Sequence, residues 1–259
     1  MELKIELPQL VNKTLTPLAD AIGNTLSSLW NITFGSFDFY SEKVNMKRAI
    51  ELEAFKNDLI QKIANISEEN MQEPKLNIVG PALESSKYYF EEPEIRSLFS
   101  KLIASSMDKT LSNSIRVSFT EFIKQLEPLD ARLLKFVYEK ETIPKVNYIL
   151  QFKNNTFKHT LYNSFEYFYV FSPSIDFDIF KLMDSINSSL INLQRLGLIE
   201  VEHNRELATF SYDWAEKTKF WELLETHPDS SNTNFDKRDY EKGFICLSNL
   251  GKDFAKVCF

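Results

Sequence analysis

The three histidines of this 259-residue chain, His159, His203 and His227, are the side chains best suited to metal binding or proton transfer. They lie far apart, and none belongs to an HExxH or His-x-Cys motif, in which short spacing directs several ligands to one metal ion. Each histidine is therefore interpreted as a surface or loop residue. The spacing predicts no metal site and no cofactor.

The two cysteines, Cys246 and Cys258, both lie near the end of the sequence. Two thiols cannot build a disulfide framework or a four-cysteine zinc site. Cys246 falls in an apolar run that predicts a buried strand, whereas Cys258 is expected to be exposed. A nucleophilic cysteine needs a neighbouring base, and the sequence nominates none. No catalytic residue is predicted, and the chain is not expected to be an enzyme.

Adjacent carboxylates are the remaining candidates for chemistry, because such pairs hold divalent cations in nucleases. The pairs in this chain are Glu68 with Glu69, Glu91 with Glu92, and Asp176 with Asp178. Each pair precedes or begins a predicted helix, where a carboxylate stabilises the positive end of the helix dipole. We favour that interpretation over a metal site. Walker, Rossmann and kinase signatures are absent.

The elements that would position these side chains are predicted to be mostly helices. Twenty-two Phe against six Gly favours helices with bulky apolar faces over tightly turned β-sandwiches. Apolar residues recur at helical spacing over residues 42–65, 93–107 and 174–196. Ser174 is predicted to cap the last of these helices, and Gly197 to end it.

Further helix starts are predicted from proline and from a capping motif. Pro81 and Pro128 are each expected to occupy a first helical turn. Residues 73–80 are interpreted as a connector, because residues that precede proline avoid the helical region. Ser118 and Glu121 have the spacing of a capping box, in which each side chain satisfies a free backbone N–H group.

The segment from Leu10 to Phe37 has only two ionisable side chains, Lys13 and Asp20. Its apolar residues at helical spacing are Leu18, Ile22, Leu26 and Leu29. We favour a buried core helix, because membrane-surface helices usually carry Lys and Arg on the polar face. Docking of residues 10–37 on a membrane after release stays open as an alternative.

The cytoplasm is the predicted location of the chain. No uninterrupted apolar stretch reaches the roughly 20 residues that span a bilayer. The first residues, MELKIELPQL, lack the basic and apolar regions of a secretory signal.

The second half of the chain predicts a small sheet. Residues 148–171 lack a clear period and are interpreted as irregular structure or short strands. Strands are predicted over residues 198–201, 207–212 and 243–248, and a closing helix over residues 250–259. A helix that ends in LQRLGLIEV, followed by a hairpin and then LSNLGKDFAKV, resembles a winged-helix domain.

The predicted fold class is therefore mainly α, in two domains. Residues 1–127 form a helical domain, and residues 128–259 form a winged-helix-like α+β domain with a small antiparallel wing. Nucleic-acid binding is disfavoured by the net charge of −7. Lys181 and Arg195 on the third helix of this domain would be the contacts to DNA. They are opposed by Asp176, Asp178 and Asp184.

The run from residue 78 to residue 134 contains a distinctive series of segments, namely Val79–Leu83, Phe99, Leu102–Asp108, Ser118–Phe119, Ile123–Leu126 and Pro128–Ala131. In these residues the chain resembles the abortive-infection alpha family of bacterial proteins. The resemblance implies antiphage defence, in which an infected cell halts growth or dies before the phage matures. It brings no catalytic residue with it.

The predicted function is accordingly an abortive-infection effector or sensor that acts through protein contacts. Tyr88, Tyr89 and Arg96 could face a protein partner or a phage-derived trigger, since aromatic and Arg side chains dominate binding hot spots. Burial of this cluster in the core is the alternative. A winged-helix transcription regulator and a membrane-perturbing toxin are the other candidate functions, and a homo-oligomer stays open.

Overall fold

The computed structural model describes residues 17–35, 42–152, 158–166, 168–172, 178–226 and 235–259. The chain divides into two compact units. Unit 1 consists of the described residues up to Ala131 together with Asp253–Phe259, and unit 2 of the described residues of Arg132–Lys252. The predicted domain boundary between residues 127 and 128 stays a prediction.

Nine α-helices and four β-strands are formed by the described residues, so the fold is mainly helical with a small antiparallel sheet. The first six helices are α1 (Pro17–Phe34), α2 (Glu42–Ala64), α3 (Leu76–Ser86), α4 (Pro93–Ser105), α5 (Ser118–Ile123) and α6 (Pro128–Lys140). The remaining elements are β1 (Thr142–Phe152), β2 (Lys158–Phe165), α7 (Ile179–Arg195), β3 (Ile199–His203), α8 (Lys219–Leu223), β4 (Phe235–Leu247) and α9 (Asn249–Cys258). The winged-helix identity stays a prediction.

Helix α1 buries the apolar stripe that its spacing predicts. Ile22 and Leu26 are at most 1% exposed, Leu29 is half-buried, and Trp30 continues the buried face. The side chain of Leu18, which belongs to the predicted stripe, lies outside the described residues. No helix in the part of the chain that the structure describes combines the length and the apolar character needed to cross a bilayer.

Two helix starts in unit 1 differ from the prediction. Helix α3 begins at Leu76 and contains Pro81 in its interior. Because Gly80 has no Cβ, the steric conflict that normally keeps a residue before proline out of the helical region is reduced. Ser118 is the first residue of α5 and makes no side-chain cap, because Val117 occupies the N-cap position. The predicted capping box is therefore wrong.

Residues 253–259 complete the core of unit 1. The ring of Phe254 lies 5.2 Å from that of Phe119, centroid to centroid, in an edge-on arrangement. The Ser105 hydroxyl donates a hydrogen bond of 2.8 Å to the carbonyl oxygen of Val257. Both Phe254 and Phe119 are fully buried. The last turns of α9 thus supply apolar contacts that the first 131 residues do not provide.

Unit 2 is built on an antiparallel sheet with the strand order β2-β1-β4-β3. Residues 148–171, interpreted as irregular structure or short strands, contain the end of β1 and the whole of β2, which pair antiparallel. Residues 143–150 of the central strand β1 are all buried, so the strand lacks the alternation of polar and apolar residues that marks a half-exposed strand. The predicted strand over residues 207–212 is wrong, and β3 pairs with β4 instead.

Helix α7 has well-defined ends. Its N-cap is Asp178, whose Oδ1 accepts hydrogen bonds from the backbone N–H groups of Phe180 and Lys181. The predicted cap, Ser174, lies outside the described residues. At the other end, Gly197 has φ +70°, and its N–H donates to the carbonyl of Gln194. The prediction that Gly197 ends this helix is confirmed, because the left-handed conformation favours glycine.

Glu141, between α6 and β1, has φ +62°. A side chain with a Cβ disfavours this left-handed conformation by roughly 1 kcal/mol. We therefore expect Glu141→Gly to raise the free energy of unfolding by about 0.5–1 kcal/mol, measured by urea denaturation. The matched control is Glu139→Gly, an exposed site inside α6, which should lower it by about 1 kcal/mol. If Glu141→Gly also lowered the free energy of unfolding, the backbone strain expected at Glu141 would be contradicted.

Candidate functional site

The three residues predicted to form a partner surface occupy different environments in unit 1. Tyr88 is 78% exposed in the turn that follows α3. Tyr89 is half-buried, and its hydroxyl donates a 3.2 Å hydrogen bond to the carbonyl of Lys124. Arg96 pairs with Glu51 and with Asp58 and is largely buried. The structure thus presents one aromatic ring to solvent and uses the other two side chains to hold local structure.

The two predicted DNA contacts, Lys181 and Arg195, are both exposed on α7. The Arg195 guanidinium donates to Asn192 Oδ1 at 2.7 Å within the last turn of the helix. Asp184, also exposed, lies between them in sequence, and Asp178 caps the helix. The described charges of this helix and its cap therefore balance, with two basic and two acidic side chains.

The cysteines and the described histidine side chain differ in how far they are exposed to solvent. Cys258 is 1% exposed, so the expectation of an exposed thiol is wrong, and burial raises the pKa of this thiol. Cys246 is half-buried in β4. The side chains of His159 and His227 lie outside the described residues. His203 ends β3, and it is part of a polar cluster that sequence reasoning missed.

This cluster is centred on the fully buried ammonium of Lys145 in β1. The Lys145 Nζ lies 2.6 Å from Asn147 Oδ1, 2.7 Å from Asn163 Oδ1 and 3.0 Å from His203 Nδ1. A lysine ammonium has three protons and no acceptor. The three neighbouring atoms therefore provide one acceptor for each proton.

Gly243 allows Lys145 to reach across the sheet. Gly243 in β4 pairs with Lys145 on one side and with His203 on the other, so the lysine and the histidine are two strands apart. A Cβ added at Gly243 would lie 3.0 Å from Lys145 Cε and 2.1 Å from the Glu202 carbonyl oxygen. The missing side chain leaves the path along which the lysine methylenes lie. Neighbouring strands are about 4.8 Å apart, so a side chain at this point would block the contact.

The amide of Asn163 connects the ammonium to helix α7. Its Nδ2 donates to Asn187 Oδ1 at 2.7 Å, and Asn187 Nδ2 donates to the Met183 carbonyl at 2.8 Å. Asn187 Oδ1 also accepts from the backbone N–H of Asn163 at 3.1 Å. The side-chain amides of Asn163 and Asn187 each direct their oxygen towards a donor. The cluster is a hydrogen-bonded network whose members polarise one another in the same direction.

The contacts of His203 determine which of its nitrogens carries the proton. Lys145 Nζ and Asn147 Nδ2 lie 3.0 Å and 2.9 Å from His203 Nδ1. An ammonium and an amide NH₂ group can only donate. Nδ1 must therefore accept, and the proton of the neutral imidazole is on Nε2. Sequence spacing does not reveal this arrangement.

The cluster shifts the pKa of both titratable members. Burial lowers the pKa of Lys145 to about 8, while the negative charge of Glu241 acts in the opposite direction. Burial also lowers the pKa of His203, and the positive charge of Lys145 lowers it further. Glu241 and Glu202 oppose that decrease. At neutral pH the lysine is charged and the imidazole is neutral, so the ammonium donates and Nδ1 is an acceptor.

Two sequence signals could have identified this cluster. Lys145 and Asn147 are two residues apart in an apolar run, and this spacing places them on one face of a strand. Gly243 interrupts a second strand, where glycine marks a close approach of neighbouring groups. The contributions of Asn163 and His203 depend on the pairing of four strands and have no local signal.

A second lysine, Lys62 in α2, is also held by neutral acceptors. Its Nζ lies 2.6 Å from Ser100 Oγ and 3.0 Å from Ser97 Oγ, both in α4. Burial lowers its pKa to about 8, and Asp58 opposes the shift. This lysine joins two packed helices of unit 1. We interpret it as structural, because Asp58 and Arg96 surround it with an ion-pair network.

Unit 2 contains a small cleft of about 230 Å³. Its wall is largely apolar, with the charged side chains of Lys140 and Glu166 among its lining residues. The other lining residues are Phe136, Thr142, Ile143, Pro144 and Phe210. No group of three or more His, Cys, Asp and Glu side chains that could hold a metal ion occurs among residues 17–35, 42–152, 158–166, 168–172, 178–226 and 235–259.

Comparison with known proteins identifies a family match over most of the chain. The family model described as abortive infection alpha matches residues 47–258. No curated protein matches the chain significantly. Among solved structures, the chain is similar to an uncharacterized protein from the hydrocarbon-degrading marine bacterium Alcanivorax borkumensis SK2. That similarity has a TM-score of 0.33 and 14% identity, and it covers 57% of this chain and 94% of the other.

The lowered pKa of Lys145 makes stability depend on pH. Between pH 8 and 10.5 the unfolded chain keeps this proton and the folded chain releases it, so the free energy of unfolding should rise. We expect Lys145→Met to reduce this rise by on the order of 2–3 kcal/mol, measured by urea denaturation across that range. The control is Lys242→Met, because Glu206 raises the pKa of the exposed Lys242. An unchanged rise in Lys145→Met would contradict a charged, buried Lys145.

Proposed function

Because this chain belongs to the abortive infection alpha family, we propose that it is a bacterial antiphage defence protein. The protein would be an effector or a sensor that works in the cytoplasm through protein contacts and not through catalysis. The observation that carries it is the family match over residues 47–258. The family relationship supports an abortive-infection role, in which infected cells stop growing before phage matures.

The turn after α3 is the surface that best supports recognition by a protein partner. Tyr88 is 78% exposed, and the segment around it is held in place from both sides. The Phe90 N–H donates to the Ser86 carbonyl at 3.0 Å, and the Glu92 N–H donates to the Tyr89 carbonyl at 3.0 Å. An exposed aromatic ring on an ordered turn loses little conformational entropy on binding.

Tyr89 and Arg96 support this turn and do not contact the partner in our proposal. The Tyr89 ring lies 5.9 Å from that of Phe99, and its hydroxyl is bonded to the Lys124 carbonyl. An Arg96 amino group donates to the Phe90 carbonyl at 3.2 Å. Both residues therefore fix the chain directly after Tyr88. The partner would be a host protein or a phage-derived trigger that accommodates one tyrosine in a pocket.

The two alternative functions would each use other residues of the protein. A winged-helix regulator would use Lys181 and Arg195, and Asp184 on the same helix would weaken its attraction to phosphates. A membrane-perturbing toxin would have to release Ile22 and Leu26 of α1, which are buried in unit 1. Recognition of a protein through Tyr88 brings no acidic side chain against a phosphate and releases no buried residue from the core. We therefore prefer it.

A phage challenge tests the proposed function. Cells that express the intact protein should form fewer plaques than cells with an empty vector. Tyr88→Ala should lose most of this protection, because removal of a hot-spot side chain weakens binding by roughly 30-fold. The matched control is Tyr169→Ala, which removes another aromatic ring that is 56% exposed and should retain protection.

The outcomes of this challenge separate two claims. Equal plaque numbers for intact protein and empty vector, over a panel of phages, would contradict the defence role. Protection by Tyr88→Ala equal to that of the intact protein would contradict the role of Tyr88 alone. Thermal melting of both variants checks that they fold, since substitutions of exposed side chains usually change stability by less than about 0.5 kcal/mol.

A further inference from the structure

Two donors of the polar cluster in unit 2 converge on a single lone pair. Lys145 Nζ and Asn147 Nδ2 lie 3.0 Å and 2.9 Å from His203 Nδ1. A neutral imidazole nitrogen has one lone pair, so it cannot accept two well-directed hydrogen bonds. A carboxylate oxygen has two lone pairs and forms stronger, charge-assisted bonds. An oxygen in this position would satisfy both donors.

Among the residues that the structure describes, no carboxylate lies within hydrogen-bond distance of the buried Lys145 ammonium. Its described contacts within hydrogen-bond distance are two amide oxygens and an imidazole nitrogen, which are all neutral. Glu241 is on the same face of the sheet and acts at longer range. A buried charge is unfavourable unless a counter-charge accompanies it. A bound carboxylate would supply that charge.

His203 is the member of the cluster that can leave its place. Lys145 and Asn147 are at most 5% exposed, whereas His203 is exposed at the end of the edge strand β3. Rotation of its side chain would free both donors without movement of the sheet. Because His203 Nδ1 lies 3.0 Å from Lys145 Nζ, the space that the imidazole vacates would connect the ammonium to solvent.

We propose that Lys145 and Asn147 form a binding site for one carboxylate, which the imidazole of His203 covers in the free protein. The carboxylate replaces the imidazole and accepts hydrogen bonds from both side chains. The negative charge of Glu241 disfavours a dianion, so the site selects a carboxylate over phosphate. A free small carboxylate and a carboxylate of a polypeptide share this chemistry.

Thermal melting of the full chain with acetate tests the site. His203→Ala removes the cover, and sodium acetate at saturation should raise the Tm of this variant by about 2–4 °C above sodium chloride at equal ionic strength. The shift in the wild-type protein should be smaller, because acetate must displace the imidazole. Equal effects of acetate and chloride on His203→Ala would overturn the proposal, and so would an equal effect of phosphate.

Asn147→Asp is the matched control, because it keeps the shape of the side chain and places a carboxylate beside Lys145. In the double variant Asn147→Asp/His203→Ala the acetate shift should disappear. Asn163→Asp with His203→Ala provides the same test if the first pair does not fold, since Asn163 Oδ1 is 2.7 Å from the ammonium. Persistence of the full acetate shift in the folded double variant would overturn the site.

Nuclear magnetic resonance of the wild-type histidine provides a second readout. Addition of acetate should shift the Nδ1 resonance of His203, as the nitrogen loses its two donors, and no shift at any acetate concentration would overturn displacement. A peptide with a free C-terminal carboxylate, compared with its C-terminal amide, distinguishes the two sources. A response to both acetate and the free peptide indicates a polypeptide ligand, and a response to acetate alone indicates a small carboxylate.

Discussion

The buried ammonium of Lys145 constrains the whole sheet of unit 2. Its acceptors come from β1, β2 and β3, and its methylenes lie over a glycine in β4, so all four strands contribute. A shift of any strand by one residue would move its side chain to the opposite face. The charge would then remain buried without an acceptor, which is strongly unfavourable. The lysine therefore specifies the register of a sheet whose apolar residues alone would specify it weakly.

Local patterns predicted the helices well wherever the relevant contacts are also local. Helix α4 begins at Pro93 as expected, and Gly197 ends α7 through its own backbone conformation. The prediction failed where distant residues decide the outcome. Strand β1 shows no alternation, because residues 143–150 are buried on both faces, and β3 pairs with a strand that begins more than thirty residues later, at Phe235.

The candidate sites follow the same rule. Tyr88, Tyr89 and Arg96 were predicted from their types and proximity in sequence, but their roles depend on partners elsewhere. Arg96 pairs with Glu51 and Asp58, which belong to α2, and only Tyr88 remains largely exposed. The lysine cluster escaped prediction altogether, since residues 145, 163 and 203 meet only after the sheet has formed. His203 was interpreted as a surface residue, and its exposure is real, but one ring nitrogen is committed to the interior.

The division of unit 1 between the start and the end of the chain has a consequence for protein synthesis. Asp253–Phe259 belong to this unit, yet the ribosome makes them only after it has translated the 121 residues of Arg132–Lys252. At roughly 5–20 residues per second, this order delays completion of unit 1 by about 6–24 s. A nascent chain, or a product of a premature stop codon, lacks Phe254 against Phe119. Unit 1 thus gains its full helical core only once residues 253–259 have been translated.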